Sequence, residues 1–135
     1  MLTPSEQLFW QNYLKKNPQE NPSRSVSASC PGNEEIADGL LALYLEGKKT
    51  AASGLVKDYH FHKDPLPQVG DYWIILDSKR EPRCIVKTVR VEFFLFREIS
   101  LEVAQAEGEG DRTIAFWKKA HTDFFSPFLE KLNIK

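Results

Sequence analysis

Apolar residues along this chain recur in two rhythms, and the switches between them mark its elements. Leu8, Phe9, Tyr13 and Leu14 fall at helical spacing, and Ile36, Leu40, Leu43 and Tyr44 do so again, so each set is read as the apolar face of a helix. Thr3-Pro4-Ser5-Glu6 announces the first helix as a capping box with proline at the first helical position. Asn33 is a good cap for the second, with Glu34 and Glu35 in its first turn, where the helix dipole favours acids. Asn17 to Ser29 is rich in Pro, Ser, Asn and Gln and reads as a linker that ends in a short strand near Val26. Residues 1–24 are thus expected to form a helical appendage and linker packed on a domain spanning 25–135.

The rhythm changes at Tyr72-Trp73-Ile74-Ile75-Leu76, an aromatic and β-branched run that predicts a strand. His60 to Gly70, with Pro65 and Pro67 as breakers, predicts a loop, and Val69-Gly70-Asp71 a tight turn into the strand. Asp77 to Pro82 turns, and Arg83 to Val91 runs back as a second strand, which Phe93 to Phe96 extends or bends into a third. Ser100 caps a short helix through Glu102, Val103 and Ala106, broken at Gly108-Glu109-Gly110. Asp111 caps a last helix with Ile114, Trp117, His121, Phe124 and Phe125 on one face, and Pro127 ends or kinks it. Helices beside a short run of strands make this an α+β chain.

Composition narrows the function classes. The chain has 135 residues, enough for one domain with a real core. Its 18 Lys+Arg stand against 19 Asp+Glu, so it lacks the basic excess of a protein that coats duplex nucleic acid. Any such contact has to rest on a local patch. Cys30 and Cys84 lie far apart with no CxxC pair, which argues against zinc and points to a reducing compartment. No apolar run reaches spanning length and the start lacks a signal-peptide pattern, so the expected location is the cytoplasm.

The segment Glu46-Gly47-Lys48-Lys49-Thr50-Ala51-Ala52-Ser53-Gly54 carries the clearest chemistry. Gly47 suits the left-handed turn that stops a helix, and Lys48 and Lys49 follow near the negative end of that helix's dipole. The small and hydroxyl residues beyond them let backbone run close to a ligand. The two lysines fit phosphate or a polar carbonyl, or simply a solvated surface; there is no P-loop pattern. Glu107, Glu109, Asp111 and Arg112 form a charged run between glycines, read either as a polar interhelical loop or as a carboxylate able to orient water or pair with Lys49. His60 and His62 flank Phe61 in what reads as an extended segment, without the further ligands a metal needs. His121 on an apolar face reads as a hydrogen-bonded core histidine. Arg83, Lys87 and Arg90, with Lys79 and Arg80, offer a phosphate-tracking patch, and Tyr72, Trp73 and Phe93 offer stacking surfaces; a solvated sheet face over core aromatics is the alternative.

Four motifs in order resemble the ASCH domain family, of the PUA-like β-barrel superfamily. They are Gly47-Lys48-Lys49-Thr50-Ala51, Leu66-Pro67-Gln68-Val69-Gly70-Asp71-Tyr72, Cys84-Ile85-Val86-Lys87-Thr88, and Glu107-Gly108-Glu109-Gly110-Asp111-Arg112 followed by Trp117 and His121. The resemblance runs from about Asn33 to Phe125. It implies a small mixed β-barrel flanked by helices, with a cleft lined by the end of the preceding helix and the barrel strands. It implies a partner in single-stranded RNA or a nucleoside or nucleotide; no membrane association, cofactor or metal is expected, from the apolar runs and the His and Cys pattern above. Some relatives resemble ribonucleases on single-stranded RNA; a divergent branch hydrolyses the amide of N4-acetylcytidine with a lysine, a threonine and a glutamate. Carried over, the lysine is Lys49 and the glutamate Glu107. The threonine position is Ala52, which has no hydroxyl, and Ser53 stands one residue further on. Catalytic candidates are therefore Lys49, Glu107 and Ser53, with Tyr44, Lys48, Thr50, Lys87 and Arg112 as binding candidates. A non-catalytic RNA-binding module is the third reading. Family members also continue past the last helix into a closing strand. Closure by another route, a strand from a partner with attendant self-association, or a further segment of chain would stand in for it.

Overall fold

The computed structural model describes residues 2–20 and 26–131, the side chains of 128–131 excepted. The chain divides into two compact units, Met1–Leu45 with Pro67–Val91, and Glu46–Leu66 with Glu92–Lys135.

Among the described residues, the first unit holds a three-stranded sheet and two helices. Helix α1 (Pro4–Lys16) starts with the expected capping box: the Thr3 hydroxyl accepts from the Glu6 amide, and the Glu6 carboxylate accepts from the Thr3 amide. Strand β1 (Val26–Ser29) lies parallel to β2 (Tyr72–Leu76), which pairs antiparallel with β3 (Pro82–Lys87), giving the order β1-β2-β3. The central strand β2 is apolar throughout because both of its faces are covered, and Ile74, Ile75 and Leu76 are fully buried. Trp10 of α1 joins Tyr72, Ile74 and Leu76 in one core cluster. The face of α1 therefore centres on Trp10, while Leu8, expected inside, is exposed. Helix α2 (Ala37–Leu45) begins a turn later than Asn33 suggests. The Asn33 side chain still accepts from the Ile36 amide at 3.1 Å, closing a turn that precedes the helix. Ala37 and Leu41 are the buried positions and Ile36 is exposed.

The sheet is mixed, as expected, but among the described residues it has three strands and stays open. A closed barrel is therefore not what these residues form. Strand β3 stops at Lys87, and Phe93 to Phe96, expected to extend it or to form a third strand, runs as exposed chain into a 3₁₀ turn at Phe96–Glu98. Cys30 and Cys84 are both free thiols.

The second unit is helical. Helix α3 (Val56–Phe61) replaces part of the expected loop and places His60 and His62 at a helix end, with His62 3.1 Å from Asp58, rather than on an extended segment. Helix α4 (Leu101–Glu107) is capped by Ser100, whose hydroxyl accepts from the Val103 amide, and ends at Gly108 in the left-handed conformation. Helix α5 (Ile114–Lys131) runs through Pro127 rather than ending there. Its cap is Thr113, whose hydroxyl accepts from the Phe116 amide. Asp111, two residues back, accepts from both the amide and the hydroxyl of Thr113. Ile99, Ala104 and Trp117 form the core of this unit.

Candidate functional site

Two stretches far apart in sequence meet inside the second unit. The Lys48–Ala51 segment lies across the C-terminal end of α4. Its Thr50 and Ala51 amides donate to the Ala106 carbonyl at 2.6 and 3.1 Å, and the Thr50 hydroxyl donates to the same oxygen at 3.2 Å. These bonds satisfy a carbonyl that the helix end leaves open. The approach is so close that a Cβ on Gly108 would lie 2.1 Å from the Lys48 carbonyl oxygen. Glycine is needed at Gly108 twice over, for its φ of +67° and for this contact. Lys49 thus stands at the C-terminal end of α4, where a cation complements the dipole.

Lys49 is turned inward. It is 5% exposed, Glu107 1% and His121 7%. The Lys49 ammonium donates to the Glu107 carbonyl at 3.3 Å, to Glu107 Oε1 at 3.3 Å and to Glu109 Oε2 at 2.8 Å. Glu107 Oε1 also lies 3.2 Å from His121 Nε2. Its other oxygen, Oε2, accepts from the Ser53 hydroxyl at 2.6 Å and from the Trp117 indole N–H at 2.5 Å. One carboxylate thus gathers an ammonium, an imidazole, a hydroxyl and an indole.

Burial alone would push the Glu107 carboxyl up. The hydrogen bonds from His121, Ser53 and Trp117 and the charge of Lys49 outweigh it and hold the group at about 2. Burial would likewise lower His121, but the hydrogen bond to Glu107 and that carboxylate's charge carry it above its usual value. Glu107 therefore stays ionised with its lone pairs occupied, which suits an anchor better than a general base. Glu107, Glu109 and His121 bring ligating atoms within 4.8 Å of one another, but the cation between the two carboxylates is the Lys49 ammonium.

The structure brings Lys49, Ser53 and Glu107 together, with Ala52 exposed and Ser53 half-buried beside it. Lys48 is exposed and pairs with Glu46 at 3.1 Å. Thr50 is held on the Ala106 carbonyl, and Arg112 donates from Nε to the Gln105 carbonyl at 3.2 Å. Tyr44 and Lys87 belong to the first unit. Tyr44 sits edge-on to Trp73 with ring centroids 5.7 Å apart, and Lys87 pairs with Glu20 at 3.3 Å over the Tyr72 ring. The expected phosphate-tracking patch is laced with acids in the same way, Arg80 with Glu34 at 3.6 Å and Arg83 with Asp77 at 3.4 Å. A shallow depression of about 390 Å³, lined by Glu92, Phe93, Phe94, Glu98, Ser100 and Val103, includes none of the Glu107 cluster.

Glu109, Trp117 and His121 complete the cluster beyond the catalytic candidates. A signal for the last two was present: an indole and an imidazole four residues apart on an apolar helix face both need a buried partner. Their rings stack at 4.1 Å, and Phe94 and Phe96 lean on Trp117 at 6.3 and 5.2 Å.

Comparison with known proteins agrees with the motifs. The ASCH domain model matches residues 27–135. A crystal structure of an ASCH domain from Lactobacillus crispatus is 30% identical, with a TM-score of 0.91 over 99% of this chain and 86% of that one. A protein from Enterococcus faecalis is 32% identical, with a TM-score of 0.81 over 96% of this chain and 77% of that one. No curated protein matches the sequence. With the family model covering most of its length and the ordered motifs in place, this chain belongs to the ASCH domain family.

Proposed function

We propose that this ASCH domain binds single-stranded RNA or a nucleotide, and that the ligand meets the Lys49–Ser53 segment beside Glu107. The observation that carries this reading is the pre-organised arrangement on one buried carboxylate, with Lys49 and Ser53 on its opposite oxygens. Donors held in place this way lose little freedom when a polar group arrives. Stacking faces stand close by: Phe94 and Phe96, each 40% exposed, rest on Trp117, which itself bonds to Glu107. Aromatic faces take any base with little sequence preference. The cluster sets the Lys49 ammonium against Glu107 and Glu109, so it carries no excess of positive charge. This favours hydrogen bonding to a base or sugar over tracking of a phosphate backbone.

Hydrolysis at the same site is the second reading, and the position of Ser53 favours it. The Ser53 hydroxyl and the Lys49 ammonium bond to the same carboxylate although Ala52 lacks a hydroxyl, which supports Ser53 as its source. The bond cleaved would be a phosphodiester of single-stranded RNA or the amide of a modified nucleoside such as N4-acetylcytidine. Lys49 would stabilise developing negative charge. Glu107 would position Lys49 and Ser53.

Short labelled RNA and N4-acetylcytidine, incubated with wild type, Ser53→Ala and Lys49→Ala, test these readings. RNA shortening lost in the variants supports the nuclease, and acetate release lost in them supports the amidase. Binding without turnover leaves a binding module. Wild-type protein that neither binds nor turns over either probe contradicts the reading.

A further inference from the structure

His121 is the one member of the cluster whose protonation the hydrogen-bond geometry decides. Its Nδ1 lies 2.9 Å from the Trp117 carbonyl, which has no proton to give, so Nδ1 carries one and donates it. Its Nε2 lies 3.2 Å from Glu107 Oε1. A neutral ring protonated at Nδ1 would aim a lone pair at a carboxylate oxygen. A proton on the carboxyl would relieve that clash, but Oε1 faces the Lys49 ammonium and Oε2 already accepts from Ser53 and Trp117. The doubly protonated ring satisfies both nitrogens at once.

We propose that His121 is a buried imidazolium and a positioning residue: by donating to Glu107 from α5 it fixes the carboxylate that orients Lys49 and Ser53, so loss of one proton from His121 loosens the site. The two acids that face it favour the charge. Glu107 comes from the end of α4 and Glu109 from the turn after it, while Lys49 opposes across Glu107. The Trp117 ring stacks on the imidazole at 4.1 Å and 19°, and Phe125 meets it edge-on at 5.5 Å; an aromatic face attracts a cation. The hydrogen bond to Glu107 and that carboxylate's charge accordingly hold His121 above its usual value despite its burial. Only the last step, from site order to ligand, rests on the proposed function.

The test is an NMR titration of the intact protein between pH 5 and 9. It follows the His121 ring nitrogens and the Trp117 indole N–H, which reports the position of Glu107 directly. The expected result is a doubly protonated ring at pH 6.5, with His121 and the Trp117 indole moving together at one midpoint above that value. In His121→Gln the indole step is lost while the remaining spectrum stays dispersed. A ring that is mostly neutral at pH 6.5, or an indole step that persists in His121→Gln, overturns the proposal. Should that variant not fold, the wild-type titration decides alone. Adding single-stranded RNA separates the two readings: absence of binding at every pH sinks the proposed function, while the His121 titration still stands or falls by itself.

Discussion

Two regions of this protein are built from the same residue types and behave differently. On the sheet of the first unit, Lys87 meets Glu20 and Arg83 meets Asp77 at 3.3 and 3.4 Å, with the cations nearly half exposed. In the second unit Lys49 meets Glu107 at 3.3 Å with both side chains buried. Nearly equal distances carry different consequences because water and salt screen the first pairs and not the second. An exposed pair is replaceable by solvent. A buried one has to be complete, since any member left alone is an uncompensated charge. Completeness is what the Glu107 cluster shows, and it is why we propose that cluster rather than the sheet patch as the binding site.

The sharpest way to break the comparison is to remove the central charge. Glu107→Gln is expected to destabilise the fold by about 3–5 kcal/mol, because Lys49 and His121 lose their common counter-ion; urea unfolding measures it. Gly108→Ala should follow at about 2–4 kcal/mol, since it forces a left-handed alanine against the Lys48 carbonyl. Thermal or urea midpoints would check this, and a neutral outcome would mean the Lys48–Ala51 segment does not lie on α4.

The pH dependence comes next. Glu107 is depressed from 4.5 to about 2, so its contribution, about 3 kcal/mol, is present above pH 4.5 and lost as pH falls through 2. His121 is raised, so its contribution is present below 6.5 and lost as pH rises through its folded value. The cluster is therefore most stabilising between about pH 4.5 and 6.5, and Glu107→Gln should flatten the profile on both sides. Smallest is Lys87→Ala, which should leave the thermal midpoint unchanged within error because its pair with Glu20 is solvent-screened.

How much of this was legible depends on how local the signal is. The Thr3 box, the Ser100 cap, the turn at Gly70 and strand β2 are written in contiguous residues, and each forms as read. Tertiary context decided the rest. Trp10 rather than Leu8 fills the core because the sheet presents Tyr72 and Ile74 to that side of α1. Phe93 to Phe96 looks like strand by composition, yet no strand pairs with it among the described residues. At the site, the Gly-Lys-Lys and Glu-Gly-Glu segments were visible separately, but Lys49 and Glu107 are 58 residues apart. A pairing of the Glu-Gly-Glu run with Lys49 is one of two readings the sequence leaves open, and only the family resemblance singles out Glu107. That His121 bears charge was hidden because a helical period reports which face is buried and says nothing of the acid waiting there.

The most direct measurement maps a single-stranded RNA oligonucleotide onto the backbone amides and indole N–H groups of the intact protein by NMR. Shifts concentrated at Lys49 to Gly54, Glu107 to Gly110 and the Trp117 indole, and abolished by Ser53→Ala, are what this account predicts. Shifts confined to Lys79, Arg80 and the Arg83 to Lys87 strand would contradict it, and would move the binding function to the exposed charges of the sheet.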